Sequence, residues 1–310
     1  MKVAVLGLGS AGRRHAENAR ALGHEVVGFD PADPGAAVSM EEAIAESDAV
    51  VVASPSALHA EQAVAALAAG KPTLVEKPLA ATVDDAERVA RVAREGGVVC
   101  GVAMNLRFHR GILGLRDLLS DLGELRFARS SFGYDLRLWR PGTDYRSSYS
   151  AQAALGGGIL LDAIHELDYL LWLLGPVESV AAELDRVSDL EIDVEDTALL
   201  SLRFASGALG AVDLNFVEPS YRRECLLVGS DAVAHWDWNG GEITVRRGDE
   251  ERTIDVACDV QETYRAVLED FLAGGEPRTS AAEGVDALRV VGAARLAAAN
   301  GVRQSVDGAA

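Results

Sequence analysis

Three clusters of residues in this chain have types and spacing that can do chemistry. The first is Gly7-Leu8-Gly9-Ser10-Ala11-Gly12, preceded by the apolar run Val3 to Leu6 and followed by a helix-period stretch. In that context G-x-G-x-x-G seats a dinucleotide pyrophosphate on a helix N-terminus, because the glycines allow a tight turn and a close backbone approach. Asp30 lies 18 residues beyond Gly12, where a second strand should end. A carboxylate there can accept hydrogen bonds from both ribose hydroxyls of NAD, whereas the 2′-phosphate of NADP would meet its charge at contact distance.

The second cluster is a pair of turns. Ser54-Pro55 follows the apolar run Ala49 to Ala53, and Glu76-Lys77-Pro78 closes the run Thr73 to Glu76. Both fall at the carboxyl ends of expected parallel strands, where open α/β sheets bind ligands. A residue before proline is kept from helical geometry and can be aimed by a cis bond. The 29 basic residues comprise 26 Arg and only Lys2, Lys71 and Lys77, so a lysine at a strand end stands out from the surface background.

The third cluster runs from Gly156-Gly157-Gly158 through Asp162, His165 and Glu166 to Asp168, inside a stretch expected to be one helix from Gly158 to Leu174. Asp162 and His165 are three apart and would share a helix face that Asp168 continues. From spacing alone three readings stand: a proton-transfer site approached through the glycines, a solvated helix face, or a metal site made by His165, Glu166 and Asp168. Just before the glycines, the segment from Trp139 to Ser150 is rich in aromatic residues and arginine, including Trp139, Arg146 and Tyr149. As a substrate loop it offers guanidinium forks and phenol hydroxyls, suited to an acidic or nucleotide-linked sugar.

Positioning these residues requires particular elements. Up to about residue 105, short apolar runs alternate with helix-period stretches, the grammar of βαβ units on a parallel sheet. Only Pro31 to Val38 separates Asp30 from Ser39, too little for a full crossover helix, so the sheet should be abbreviated there. Beyond about Leu122 the pattern changes to long alternating strands, among them Glu124 to Tyr134, Ser179 to Val187, and Thr197 to Phe204 joined to Ala208 to Phe216 by the hairpin signal Ala205-Ser206-Gly207. Helices at Gln261 to Leu272 and Ser280 to Asn300 follow. The expected fold is α/β plus α+β, with an N-terminal Rossmann domain over 1–121 and a C-terminal domain over 122–310 with a mostly antiparallel open sheet and helices. The last helix should pack back on the first domain.

Composition narrows the function classes. With 49% hydrophobic and 25% charged residues in 310, the chain is globular, and no apolar run approaches the roughly 20 residues of a membrane helix. The excess of 48 acidic over 29 basic residues, a net charge of -19, disfavours nucleic acid and anionic lipid. Met1 to Gly7 reads as a strand and not as a secretory signal. Cys100, Cys225 and Cys258 lack the paired spacing of a zinc or redox site. A cytoplasmic location follows as the expectation.

In this order, the motifs resemble the Gfo/Idh/MocA family of nicotinamide-dependent oxidoreductases over essentially the whole chain. The resemblance rests on Gly7, Gly9, Gly12 and His15, the acidic Asp30, Ser54-Pro55 with His59, Ala69-Gly70-Lys71 and Glu76-Lys77-Pro78, Asn105 and Arg107, and the glycine triplet with Asp162, His165 and Asp168. It implies NAD held by residues 7–12, Asp30, Ser54, Pro55, His59, Glu76 and Lys77, and a catalytic Lys77 completed by His165 and Asp162. It also implies no metal, and a sugar, sugar acid, nucleotide sugar or inositol substrate contacted by Asn105, Arg107, Trp139, Arg146 and Tyr149. The two halves would enclose a cleft with Lys77 on one wall and His165 on the other, and the C-terminal sheet would form a homodimer or homotetramer interface. Two other functions share the fold: a retained NAD used for transient oxidation during elimination or glycoside cleavage, and a regulator without turnover. The chain departs from the family pattern in having two residues between Asp162 and His165 where most members have three, and Ser56 where asparagine is common.

Overall fold

A computed structural model of the chain describes residues 1–33, 35 and 39–306. Two compact units emerge from its internal contacts. One comprises Met1–Asn105, Ala154–Gly156 and Val260–Leu288, the other Leu106–Ala153, Gly157–Asp259 and Arg289–Ala310.

The first unit holds β1 (Lys2–Leu6), α1 (Ser10–Ala21), β2 (Glu25–Phe29), α2 (Met40–Ala45), β3 (Ala49–Val52), α3 (Ser56–Ala68), β4 (Thr73–Val75), α4 (Val83–Gly96) and β5 (Cys100–Val102). The strands form a parallel five-stranded sheet in the order β2-β1-β3-β4-β5, as the alternating pattern predicts. Every residue of β3, Ala-Val-Val-Val, is buried, the signature of a parallel strand covered on both faces. α4 shows how local chemistry bounds a helix. Thr82 caps its first turn by accepting from the Asp85 N–H, Asp84 and Asp85 favour its positive end, and Gly97 closes it in the left-handed region at φ 62°. The shortened stretch after Asp30 falls partly on residues 34 and 36–38, which lie outside the described residues; the short α2 follows it. A later helix, Val260–Leu272, belongs to this unit as well, and there Arg14 of α1 sits 4.0 Å over the Tyr264 ring.

The second unit is built on a nine-stranded sheet. Its strands are β6 (Leu125–Gly133), β7 (Val177–Asp185), β8 (Thr197–Phe204), β9 (Leu209–Asn215), β10 (Arg222–Gly229), β11 (Val233–Asp237), β12 (Glu242–Arg247), β13 (Glu250–Asp255) and β14 (Gln304–Ser305). Their order across the sheet is β13-β12-β11-β10-β6-β9-β8-β7-β14. All neighbours pair antiparallel except β6 with β9. The period of two is plain in β8, where Ala198, Leu200, Leu202 and Phe204 are buried and Leu199, Ser201 and Arg203 face outward. Helices cover one face: α5 (Arg110–Asp117), α6 (Leu119–Leu122), α7 (Ile159–Asp162) and α8 (His165–Leu174). The Val260–Leu272 helix is α9 in chain order, and α10 (Ala281–Asn300) precedes the last strand. α5 packs so tightly that a Cβ on Gly111 would lie 2.1 Å from the indole nitrogen of the fully buried Trp236. Cys100 and Cys225 are buried and Cys258 is half-buried, all three as free thiols.

One expectation needs correction. The single helix from Gly158 to Leu174 is two helices, broken at Ala163-Ile164. There the backbone tightens: the N–H groups of Glu166 and Leu167 donate to the carbonyls of Ala163 and Ile164, three residues back instead of four. The sequence is apolar on both sides of the break and carries no glycine or proline within it, so periodicity alone reads through.

Two buried ion pairs anchor α8. Arg107 donates through Nε and Nη2 to the two carboxylate oxygens of Asp168, at 3.0 and 2.8 Å, and Arg223 Nε lies 2.8 Å from Glu166 Oε1. Arg107 and Asp168 are each 1% exposed and Glu166 is fully buried. Breaking such a pair leaves an uncompensated buried charge. Arg107→Leu is therefore expected to destabilise the protein by about 3–5 kcal/mol, read as a lowered urea midpoint; a change below about 1 kcal/mol, the scale of an exposed pair, would show that Asp168 does not depend on this guanidinium.

Candidate active site and dinucleotide loop

The glycine loop owes its shape to lack of space. A Cβ on Gly12 would lie 1.8 Å from the carbonyl oxygen of Gly7, and Gly7, at φ 89°, has the Ser54 backbone nitrogen 2.5 Å from its own absent Cβ. Gly9 is different: nothing approaches its Cβ position within 4 Å, so the space in front of it is open. Gly9 also caps α1 without any side-chain acceptor, which leaves first-turn N–H groups pointing out of an uncapped helix N-terminus. An open cradle of amide donors at the positive end of a 12-residue helix fits a pyrophosphate.

Asp30 ends at the loop. Its Oδ2 accepts from the Leu8 N–H at 2.7 Å and its Oδ1 from the Ala32 N–H at 2.9 Å. The two arginines after Gly12 have partners inside the same unit: Arg13 Nε donates to the Leu8 carbonyl at 2.8 Å, and Arg14 stacks on Tyr264.

The strand-end turns meet across the tops of β3 and β4. His59, buried on α3, places Nε2 2.8 Å from the Ser54 carbonyl oxygen and Nδ1 2.7 Å from that of Pro78. Burial pushes its pKa down, outweighing the two carbonyls and the Glu76 charge that raise it, and the nearby Lys77 charge adds to the lowering. The Ser54 hydroxyl donates to Gln62 at 2.8 Å. Glu76 is buried and accepts from His15 Nε2 at 2.7 Å and from the Lys77 backbone N–H at 3.1 Å. Burial alone would push the Glu76 carboxyl up; the hydrogen bond and electrostatic pull of His15, with the charge and N–H of Lys77, outweigh it and hold the carboxyl below the usual range. Lys77 is half-buried and the Lys77-Pro78 bond is cis.

In the second unit Gly157 and Gly158 are packing devices. A Cβ on Gly157 would lie 2.3 Å from the Tyr149 carbonyl oxygen, and one on Gly158, at φ 105°, 2.4 Å from Glu195 Oε1. The contact presses the 139–150 loop against the start of α7, and there the Tyr149 hydroxyl donates to Asp162 Oδ1 at 2.7 Å. Asp162 and His165 are buried on either side of the helix break, Asp162 ending α7 and His165 opening α8. Glu166 and Asp168, the carboxylates of the metal reading, each face a guanidinium.

The other expected substrate residues have partners of their own. Asn105 Nδ2 donates to Thr263 Oγ1 at 2.8 Å, and Arg107 holds Asp168. Arg146 is exposed and bonded to Asp144 and Glu191, while Trp139 Nε1 donates to the Tyr134 carbonyl at 3.0 Å. Sequence reasoning gave no role to Gln62, Thr263 or Glu195. It placed His15 in a motif without a task, although a histidine one turn after Gly12 on a buried helix face was the available signal.

Comparison with known proteins bears directly on this site. Residues 1–104 match the model of an oxidoreductase family with an NAD-binding Rossmann fold, and residues 112–235 match the GFO/IDH/MocA C-terminal domain. The chain belongs to the GFO/IDH/MocA family of oxidoreductases. Among its relatives, the 1,5-anhydro-D-fructose reductase of Ensifer adhaerens is 31% identical over 93% of each chain. The myo-inositol 2-dehydrogenase of Thermotoga maritima is 30% identical over 69% of this chain and 68% of its own. Levoglucosan dehydrogenase, solved with NADH and levoglucosan, has the same fold, with a TM-score of 0.86 at 22% identity over 98% of both chains. Among the described residues, no helix is long and apolar enough to cross a membrane.

The loop geometry in this GFO/IDH/MocA chain makes a sharp prediction. Gly12→Ala drives its Cβ into the Gly7 carbonyl, so NAD affinity measured by calorimetry should fall at least tenfold, about 1.4 kcal/mol. Gly9→Ala, whose Cβ enters open space, should keep the fold and melting temperature. A Gly12→Ala variant that binds NAD like the wild type would show that the loop tolerates a shift of Gly7.

Proposed function

We propose that this chain is an NAD-dependent dehydrogenase or reductase acting on a hydroxyl or carbonyl carbon of a sugar, sugar acid, nucleotide sugar or inositol. The observation that carries the reading is the Glu76-Lys77-Pro78 turn. It sets a half-buried lysine, in a chain with three lysines, at the carboxyl end of β4 in the unit that also carries the glycine loop and Asp30. Similarity to a 1,5-anhydro-D-fructose reductase and to inositol 2-dehydrogenases supports the substrate class. On this reading segment 1–121 serves the dinucleotide and 122–310 serves substrate and assembly, as a cytoplasmic homodimer or homotetramer through the second sheet.

NAD, when bound, supplies the hydride acceptor or donor. Residues 7–12, Asp30, Ser54, Pro55, His59, Glu76 and Lys77 would hold it. Lys77 Nζ takes the hydroxyl proton in oxidation and returns it to the carbonyl oxygen in reduction. His165 relays that proton or hydrogen-bonds the reacting hydroxyl, and Asp162, steadied by Tyr149, orients the substrate. Trp139, Arg146 and Tyr149 complete the substrate side, with Asn105 and Arg107 acting through Thr263 and Asp168, to which they are bonded.

Two measurements test the proposal. NADH absorbance with purified protein and NAD should rise on at least one member of a panel of aldoses, anhydro-sugars, inositols, sugar acids and UDP-sugars. Lys77→Met should then lower turnover by about 10² to 10⁴, the contribution of a positioned acid/base, with NAD affinity nearly intact; a loss of only about threefold would remove Lys77 from the chemistry.

Cofactor choice is the second test. Two unit charges about 4 Å apart repel by roughly 4 kcal/mol at an effective dielectric near 20. Screening and movement that reduce this to about 2 kcal/mol still leave NAD favoured over NADP roughly thirtyfold. Asp30→Asn keeps an acceptor for the Leu8 N–H and removes the charge, so it should narrow the gap. Equal or tighter binding of NADP to the wild type, titrated at fixed ionic strength, would show that Arg13 and Arg14 leave their partners for the 2′-phosphate.

A further inference from the structure

Two buried histidines from different helices converge on the turn that carries Lys77. His15, 1% exposed on α1, meets the Glu76 carboxylate at 2.7 Å, and the same carboxylate accepts the Lys77 backbone N–H at 3.1 Å. His59, 1% exposed on α3, sits between two carbonyl oxygens, with Nδ1 2.7 Å from that of Pro78 and Nε2 2.8 Å from that of Ser54, and its neutral ring donates its one N–H to Pro78 in the tautomer the clamp requires. The residues on both sides of Lys77 are thus tied through side-chain contacts to separate helices. His15 Nδ1 is buried without a hydrogen-bond partner among the described residues. The hydrogen bond the His15 ring makes among the described residues is the one to Glu76.

We propose that His15 and His59 are the positioning residues of Lys77, His15 through the Glu76 carboxylate and His59 through the Pro78 carbonyl. The clamp deepens the reading of Lys77 as the proton-transfer group and rests on it. It also gives the glycine loop a second task. α1, which begins at the dinucleotide loop, carries the histidine that holds the base, so the loop and the lysine turn are set by one rigid element.

A buried carboxylate that loses its hydrogen bond and its electrostatic partner is driven toward the neutral acid. Glu76 and His59 each feel the Lys77 charge. With Glu76 neutral, Lys77 loses a stabilising negative neighbour and releases its proton at lower pH.

With three lysines in the chain, lysine labelled with carbon-13 at Cε should give three signals, assigned with Lys2→Arg and Lys71→Arg. Calorimetry with NAD and thermal melting run in parallel. His15→Leu and Glu76→Gln are expected to shift the Lys77 signal and lower its titration midpoint by about one pH unit. His15→Gln, which keeps a donor at the Nε2 position, is expected to restore the wild-type values. His59→Asn keeps a donor toward Pro78 and should preserve the signal; His59→Gln points its donor toward Ser54 and should displace it. If His15→Leu does not fold, the isosteric Glu76→Gln decides. An unchanged Lys77 signal and midpoint in folded Glu76→Gln overturns the clamp. So does a failure of His15→Gln to differ from His15→Leu. Neither readout needs a substrate, so absence of turnover on the sugar panel would overturn the proposed activity while the clamp stands or falls on the lysine signal alone.

Discussion

The carbonyl oxygen of Gly7 stands where any side chain on Gly12 would be, 1.8 Å from the position of its Cβ. Because nothing but hydrogen fits, α1 can start directly against the end of β1 with its uncapped N-terminus facing the open space at Gly9. That placement fixes the rest of the helix, at 1.5 Å and 100° per residue, and so carries His15 onto Glu76 and Arg14 onto Tyr264. Asp30 holds the Leu8 end of the same loop from the neighbouring strand. A single steric exclusion thus orders the anion cradle, the acidic strand end and the support beneath Lys77.

Much of this was legible in the sequence, because the signals are local. The unbroken Val run of β3 and the alternation of β8 announce a doubly covered parallel strand and a one-sided antiparallel one. The Ala205-Ser206-Gly207 hairpin follows from turn chemistry, and the G-x-G-x-x-G loop from the same steric rule that the structure displays. What was not legible depends on distant partners. Arg107 and Asp168 are 61 residues apart, and nothing in either neighbourhood predicts that their charges neutralise each other inside the unit. The parallel pairing of β6 with β9 among antiparallel neighbours likewise depends on a connection, not on a pattern within either strand.

The glycine triplet and the break after Asp162 lie between these extremes. Three glycines signal close approach, and close approach is observed, but the sequence does not say that the approaching groups are the Tyr149 carbonyl and Glu195. The helix period runs unbroken from Ile159 to Leu174, yet the backbone tightens at Ala163-Ile164 and separates Asp162 from His165 by a change of helix. Two intervening residues in a break do not span what they span in a continuous turn.

The two-residue strand β14 has a consequence beyond the site. It pairs Gln304 and Ser305 with Val180 and Ser179 of β7, occupying backbone groups that would otherwise invite a strand from another molecule. At the far border, β13 exposes Glu250, Glu251 and Arg252, whose charges make an incoming strand costly to dock. One border of this broad sheet is partly covered by the short β14 and the other is guarded by charge. Sideways addition of a strand is made more costly at both.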